Sequence, residues 1–279
     1  MTPVRLGAVE YLNARPLVFR LDRSPLFAVR FDRPARCAAL LHDGAVDLGL
    51  IPSIEYLRPP DSARGRAAYH IVPDLAVASR GPVASVALFT TKPMTEVTSI
   101  ALDTSSRTSV ALTHVLARRV FRIQPVLRPH GPDLAAMLED NDAALIIGDV
   151  ALLLETGSMQ VGERCIHVEK VDLGELWTSE TGLPFVYAFW AGRAGVVDEA
   201  GVKALQQARD VALGQPETVA AEYFEDQPEH RPLGARYLRD NIKYHLGPEE
   251  CAGLERFYRY AAEAGLVAAV EPIRFFGLR

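Results

Sequence analysis

The sequence predicts an α/β chain of two lobes with a ligand cleft between them, and three observations predict it. Short apolar runs that suit strands alternate with segments of helical period over the first two thirds of the chain. The pattern breaks at Lys92-Pro93 and a fresh strand-helix-strand unit begins at Ser99. A strand-like return at Pro184 to Trp190 then leads into a last third that reads as helices. The alternation argues for parallel sheets with crossovers, and the restart and return argue for an insertion. The expected division is residues 1–93 with 184–279 as the first lobe, including the helical tail, and residues 94–183 as the second.

The elements follow in order. Arg5 to Val9, Phe27 to Phe31 and Val46 to Ile51 read as strands, with a helix over Pro34 to His42. Pro34 suits a first helical turn and Gly44 the position just past a helix end. Strands are expected at His70 to Val77, Ser85 to Thr91, Ile100 to Asp103, Pro125 to Arg128, Ala143 to Ile147 and Phe185 to Trp190. Between Asp103 and Pro125, Val110, Leu112, Val115, Leu116, Val120 and Phe121 repeat at helical spacing, and Val150 to Thr156 suits a shorter helix. The tail includes a helix over Pro248 to Gly265, with Leu254, Phe257, Tyr258 and Ala261 on one face.

Composition narrows the function. The chain has 279 residues, 49% of them hydrophobic, enough for two cores. Net charge is −5 with both signs interspersed, and no basic run is dense enough to follow a phosphate backbone, which argues against a nucleic acid partner. The start, Met1 to Gly7, lacks the pattern of a secretory signal, and no apolar stretch is long enough to cross a membrane. The expectation is a cytoplasmic protein with no membrane partner. Cys37, Cys165 and Cys251 fit neither a disulfide framework nor a zinc site, and the seven histidines show no metal-ligand spacing.

Four segments share one layout, in which a strand ends, polar or small residues follow and a helix or turn begins. They are Glu10 to Pro16, Ile51 to Tyr56, Asp103 to Ser109 and Ile147 to Leu152. Ligands of open α/β sheets bind outside the carboxyl ends of the strands, where these segments gather. Helix N-termini there favour negative charge, so the expected ligand is a small anion. Ser53, Ser105, Ser106, Thr108 and Asp149 are the expected substrate-binding residues, with a carboxylate on the turn from Thr104 to Thr108. The competing reading makes Ser105, Ser106, Ser53 and Asp149 helix caps that serve stability alone.

The runs VEYLNARPL, GAVDLGLIPSIEY, GPVASVALF, SIALDTSSRTSVAL, AALIIGDVALLL and DLGELWTSETGLPFVYAFWAGR occur in this order from Arg5 to about Arg193. Together they resemble the chorismate dehydratases of menaquinone biosynthesis by the futalosine pathway. The resemblance implies a fold similar to type II periplasmic binding proteins. It also implies conversion of chorismate to 3-[(1-carboxyvinyl)oxy]benzoate and water, with no metal or organic cofactor. In that family an asparagine of the Y/F-L-N motif and a serine after G-P-V are implicated in catalysis, which here correspond to Asn13 and Ser85.

The chemistry is compatible with these residues. Removing the proton from the ether-bearing carbon of chorismate and expelling the neighbouring hydroxyl makes the ring aromatic. Asn13 has no useful basicity, so its expected task is to orient the substrate or hydrogen-bond the departing hydroxyl. The base is unassigned between Glu10, Glu55 and a carboxylate of the substrate. Arg15 and Arg107 are candidates for pairing with substrate carboxylates, and Trp177 with the Thr181 to Phe185 run for the cleft wall, the hinge or the core. Two other functions fit the architecture, a non-catalytic solute-binding protein for a small carboxylate and the related 1,4-dihydroxy-6-naphthoate synthase. The synthase uses a cleft histidine, and no histidine lies within the four strand-end segments.

Overall fold

The computed structural model describes residues 2–58 and 69–277 and contains two sheets. β1 (Val4–Val9), whose last four residues are buried, is followed by a 3-10 run at Leu12–Val18 and by β2 (Phe27–Asp32), parallel to β1. α1 (Pro34–His42) has the expected bounds, because Pro34 presets its first turn and Gly44, at φ +72°, takes the left-handed position beyond its end. β3 (Leu48–Pro52) is buried at every residue and also runs parallel to β1. The single strand expected over His70 to Val77 is two, β4 (His70–Ile71) and β5 (Val77–Ser79), since Pro73 and a left-handed Asp74 interrupt it.

The second sheet is formed by β6 (Val86–Thr90), β7 (Ser99–Asp103), β8 (Val126–His130), β9 (Ala143–Ile147) and a hairpin of β10 (Gly157–Val161) and β11 (Arg164–Asp172). Its order is β10-β11-β6-β9-β7-β8. α2 (Arg107–Leu116) joins β7 to β8, α3 (Leu134–Glu139) joins β8 to β9, and α4 (Gly148–Leu153) follows β9 directly, starting ahead of the expected Val150. After α5 (Leu173–Thr181), β12 (Phe185–Gly192) returns to the first sheet, ordered β2-β1-β3-β12-β4 with β5 also on β12.

Two expectations change. The sheets are mixed rather than parallel, because β6, β11 and β12 run antiparallel to their neighbours. β6 pairs with β9 and β11, so the chain has left the first sheet by Val86, ahead of Lys92-Pro93. The two strands that enter each sheet from the other, β6 and β12, are nearly all buried. Their apolar runs are visible in the sequence, whereas their partners are not.

The tail is helical as expected: α6 (Glu199–Leu213), α7 (Pro216–Tyr223), α8 (Arg231–Asp240) and α9 (Pro248–Glu263). α6, α7 and α8 pack on the Leu12–Val18 run, and α9 lies on β12. Gly253 permits that approach, because a Cβ there would sit 2.1 Å from the Pro184 carbonyl oxygen. Trp177 is core rather than cleft wall: it is fully buried, its ring is 5.1 Å from Phe185, and its Nε1 donates to the Pro184 carbonyl at 3.1 Å.

One carboxylate ties the outward and return passages together. Asp172 caps α5 by accepting from the N–H groups of Gly174 and Glu175 at 2.9 and 3.0 Å. It also accepts from Val83 and Ala84 at 3.0 and 2.6 Å, and Ala84 has a left-handed φ of 64° that a residue with a Cβ adopts only when held. Asp172→Ala removes a cap and two charged hydrogen bonds at once, and the expected loss is about 2–4 kcal/mol in urea unfolding. An unchanged midpoint would refute this account of the Ala84 turn.

Asp142 similarly accepts from Thr98 and Ser99 and pairs with Lys92 at 2.7 Å, fixing the start of the β7 unit. Burial pushes its pKa up, but Lys92 and Thr98 outweigh that and hold it at about 2. The folded value lies below the ordinary one, so the stabilisation is complete above the ordinary carboxylate range and is lost as pH falls towards about 2. The stability gap between wild type and Asp142→Asn should therefore narrow as urea midpoints are followed from about pH 6 to about pH 2.

Candidate active site

A cleft, partly open to solvent, lies where the carboxyl ends of β1, β3 and β9 meet the start of α2. Its polar lining comes from Tyr11, Asn13, Ser106, Ser109 and Tyr187, and its apolar floor from residues such as Val9, Leu50, Val83 and Ile147. Gly148 is part of the wall and is constrained twice. Its φ is +69°, and a Cβ would come within 3.2 Å of the Tyr11 ring, so only glycine lets that ring close against β9. The Tyr11 hydroxyl donates to Ser105 Oγ at 3.3 Å, which joins the wall to the turn after β7.

Of the residues singled out in the sequence, Asn13 and Ser106 line the cleft. Asn13 is half-buried at the start of the 3-10 run, with its amide beside the Tyr237 hydroxyl. Ser85 lies one layer beneath the lining. It is buried, its carbonyl accepts from Gly148 N–H at 2.8 Å, and its Oγ accepts from the Tyr237 hydroxyl at 2.6 Å. Ser106 is the N-cap of α2, accepting from Ser109 N–H at 3.4 Å, with Ser109 Oγ 3.0 Å from its own hydroxyl. Capping and lining are therefore combined in Ser106.

The remaining substrate-binding candidates meet protein groups in the structure. Ser105 Oγ accepts from Tyr11, and the Ser105 backbone bonds Asp103 and Ala35. Ser53 is fully buried, donating to the Val186 carbonyl at 2.8 Å. Thr108, also fully buried, accepts from Ile54 N–H at 3.2 Å with Ser53 Oγ 3.4 Å away. Asp149 accepts from Leu12 N–H at 3.2 Å and from the Tyr223 hydroxyl. Its pKa is raised by burial, against the pull of these two donors. The N-cap of α4 is Ile147, so Asp149 is not the cap either; it fastens β9's end to the Leu12–Val18 run and to α7.

Electrostatic anchors are satisfied away from the cleft. Glu55 is 1% exposed and faces Arg107 at 2.5 Å, His42 at 3.4 Å and Arg58 at 3.5 Å. Burial pushes its pKa up, but His42, Arg107 and Arg58 outweigh this and keep it below the ordinary value. Arg15 packs between the rings of Phe31 and Tyr223 and donates to the Glu10 carbonyl. Glu10 is exposed and lies 3.7 Å from Arg33. None of Glu10, Arg15, Glu55 and Arg107 is among the cleft-lining residues, and the lining contains no carboxylate, histidine, lysine or arginine among the described residues. The described residues likewise contain no group of three or more His, Cys, Asp or Glu arranged to hold a metal, and no helix long and apolar enough to cross a membrane.

Sequence reasoning did not single out Tyr237, Tyr187 or Ser109. Tyr187 is in β12, with its hydroxyl 3.1 Å from Ser79 Oγ. Tyr237 projects from α8 and is distant from every strand-end motif, so no local pattern marks it. Ser109 stands inside the quoted Asp103 to Ser109 segment and was legible there.

A family model described as menaquinone biosynthesis matches residues 4–263. A curated chorismate dehydratase of Thermus thermophilus is 35% identical over 266 residues, covering 92% of this chain and 94% of that protein. Among solved structures, a protein from Archaeoglobus fulgidus superposes with a TM-score of 0.72 at 14% identity, over 95% of this chain and 99% of that one. The periplasmic aliphatic sulphonate binding protein of Escherichia coli superposes with a TM-score of 0.63 at 18% identity, over 96% and 94%. At such identity these two show the fold alone, a periplasmic-binding-protein-like architecture. The family match over most of the chain and the near full-length relative agree, and the chain belongs to the menaquinone biosynthesis family.

Proposed function

We propose that this protein is a chorismate dehydratase, a hydro-lyase that converts chorismate to 3-[(1-carboxyvinyl)oxy]benzoate and water. The observation that carries the reading is the 35% identity to a curated chorismate dehydratase over 92% of the chain. A cleft whose polar lining is an amide, two alcohols and two phenols supports it. Because the described lining has no carboxylate, histidine, lysine or arginine, the proton acceptor in this reading is a carboxylate of the substrate itself. It removes the proton from the ether-bearing carbon, the electron pair moves into the ring conjugated with the ring carboxylate, and the neighbouring C–O bond breaks. The abstracted proton passes from that carboxylate to the departing oxygen, which leaves as water. The aromatic ring supplies the driving force, so the protein's task is to hold the substrate and stabilise developing charge.

In this reading Asn13, on the cleft wall, orients the substrate and Ser85 acts from the layer beneath. The hydroxyls of Ser106 and Ser109 with the first turn of α2 receive a substrate carboxylate. Ser53, Ser105, Thr108 and Asp149 contribute by holding the wall in place around the substrate. The cleft lies between two lobes, the second inserted into the first, and the protein works in the cytoplasm without a cofactor.

The direct test is to incubate purified protein with chorismate and follow the aromatic enol ether. Turnover should survive exhaustive chelation, and Asn13→Ala and Ser85→Ala should each lower kcat far more than they weaken binding. Folded protein that binds chorismate without consuming it would favour the solute-binding alternative. Asn13→Ala with near-normal kcat and only a raised KM would make Asn13 a binding residue.

The α2 turn has its own test, because capping and ligand binding predict different losses. Ser105→Ala/Ser106→Ala should weaken product binding by about 10- to 150-fold if one hydrogen bond to a carboxylate is lost. It should also lower stability by about 0.5–2 kcal/mol through the lost Ser106 cap. Calorimetry and urea unfolding on the same variant measure both, and an unchanged dissociation constant beside a lowered midpoint removes the carboxylate from this turn.

A further inference from the structure

We propose that Tyr237 is a positioning residue that makes the Ser85 hydroxyl a hydrogen-bond donor towards the cleft. The inference rests on the dehydratase reading and adds a residue from the helical tail to it. Tyr237 is 2% exposed on α8 and its hydroxyl donates to Ser85 Oγ at 2.6 Å. A serine hydroxyl carries one hydrogen and accepts through its lone pairs. Once a lone pair of Ser85 is occupied by Tyr237, the oxygen is polarised and its own hydrogen must find an acceptor elsewhere. No hydrogen bond from that hydrogen to a protein group is present among the described residues, although Ser85 is 1% exposed.

The cleft wall lies beside it. The Ser85 carbonyl accepts from Gly148 N–H, which ties the residue to that wall. Val83, Val86 and Gly148, which flank Ser85 in sequence or bond to it, all line the cleft. A substrate oxygen in the cleft is the partner this proposal assigns to the hydroxyl. The departing hydroxyl is the apt one, because its oxygen gains negative charge as the C–O bond breaks and a donor aimed there stabilises that state.

Burial pushes the Tyr237 pKa up, against the opposing effects of Ser85 and Asn13, so the phenol keeps its proton across the working pH range.

The test is a double-mutant cycle in the dehydration assay. Tyr237→Phe keeps the ring and removes the donor; kcat should fall by about 10- to 100-fold with KM within about threefold of wild type. If Tyr237 acts through Ser85, the double variant Ser85→Ala/Tyr237→Phe is no slower than Ser85→Ala alone, which a merely structural loss would not produce. A Tyr237→Phe enzyme within about twofold of wild-type kcat, or single effects that multiply in the double variant, overturns the proposal while leaving the dehydratase reading intact. Wild-type protein that fails to consume chorismate overturns both. Should Tyr237→Phe not fold, 3-fluorotyrosine at position 237 keeps the hydroxyl and makes it a stronger donor. A shifted kcat at an unchanged urea midpoint is then expected, and an unshifted kcat counts as refutation.

Discussion

The carboxylate of Asp172 sits where the chain leaves the first sheet and where it comes back, and the placement of the site depends on it. Its acceptance from Val83 and Ala84 holds the outgoing strand in a left-handed turn, while the cap on α5 fixes the returning segment. That clamp holds the backbone at Ala84 in its left-handed conformation immediately before β6. Ser85 is the next residue, so the same turn decides which way its hydroxyl faces. Local strain here is held by hydrogen bonds to a single charged group, an arrangement that recurs where a side chain must be aimed.

A second constraint concerns the polar groups at the strand ends. A hydroxyl or carboxyl placed there for a ligand is out of water, and it needs a partner whether or not the ligand is present. The structure meets this need by pairing groups from the two sides of the cleft. Thr108 accepts from Ile54, Glu55 faces Arg107, Ser105 accepts from Tyr11, and Asp149 accepts from Leu12 and Tyr223. These residues draw the sides together and leave the cleft itself lined by a short set of neutral donors and acceptors. The Glu55 cluster illustrates the logic: an ionised carboxylate at 1% exposure is tolerable because it has cations from both sides.

This pairing also explains what the sequence revealed and what it concealed. Apolar runs with flanking glycine or proline located β1, β3, β6, β9 and β12 and the bounds of α1, because those features act within a few residues. The β10–β11 hairpin went unseen since β11 exposes Arg164, Cys165, His167 and Glu169 and has no clean apolar alternation. The antiparallel pairing of β6 and β12 depends on neighbours far away in the chain, which local periodicity does not encode. At the site, Asn13 and Ser106 were legible as polar residues just after strands, and so was the double possibility of cap and ligand contact for Ser106. The partners that occupy Ser53, Thr108 and Asp149 lie more than fifty residues away in each case, so a sequence reading sees only unpaired polar groups there.

The distribution of charge bears on how a binding fold acquires chemistry. A solute-binding cleft needs donors for its ligand, and a dehydration driven by aromatisation asks for little more when the substrate brings its own carboxylates. An ionisable base in the lining would have to be buried beside two substrate carboxylates, where like-charge repulsion and desolvation both act against its charged form. A lining of amide and hydroxyl groups avoids that conflict. What it needs instead is direction, because a hydroxyl can rotate and a neutral amide can turn over. Buried Tyr237, from a tail helix, engages the Ser85 hydroxyl, and Gly148, at a strand end, holds the Ser85 backbone. On the proposed mechanism, the step from binding to catalysis in this architecture is a matter of fixing the sense of a few neutral hydrogen bonds, with no new charge introduced into the cleft.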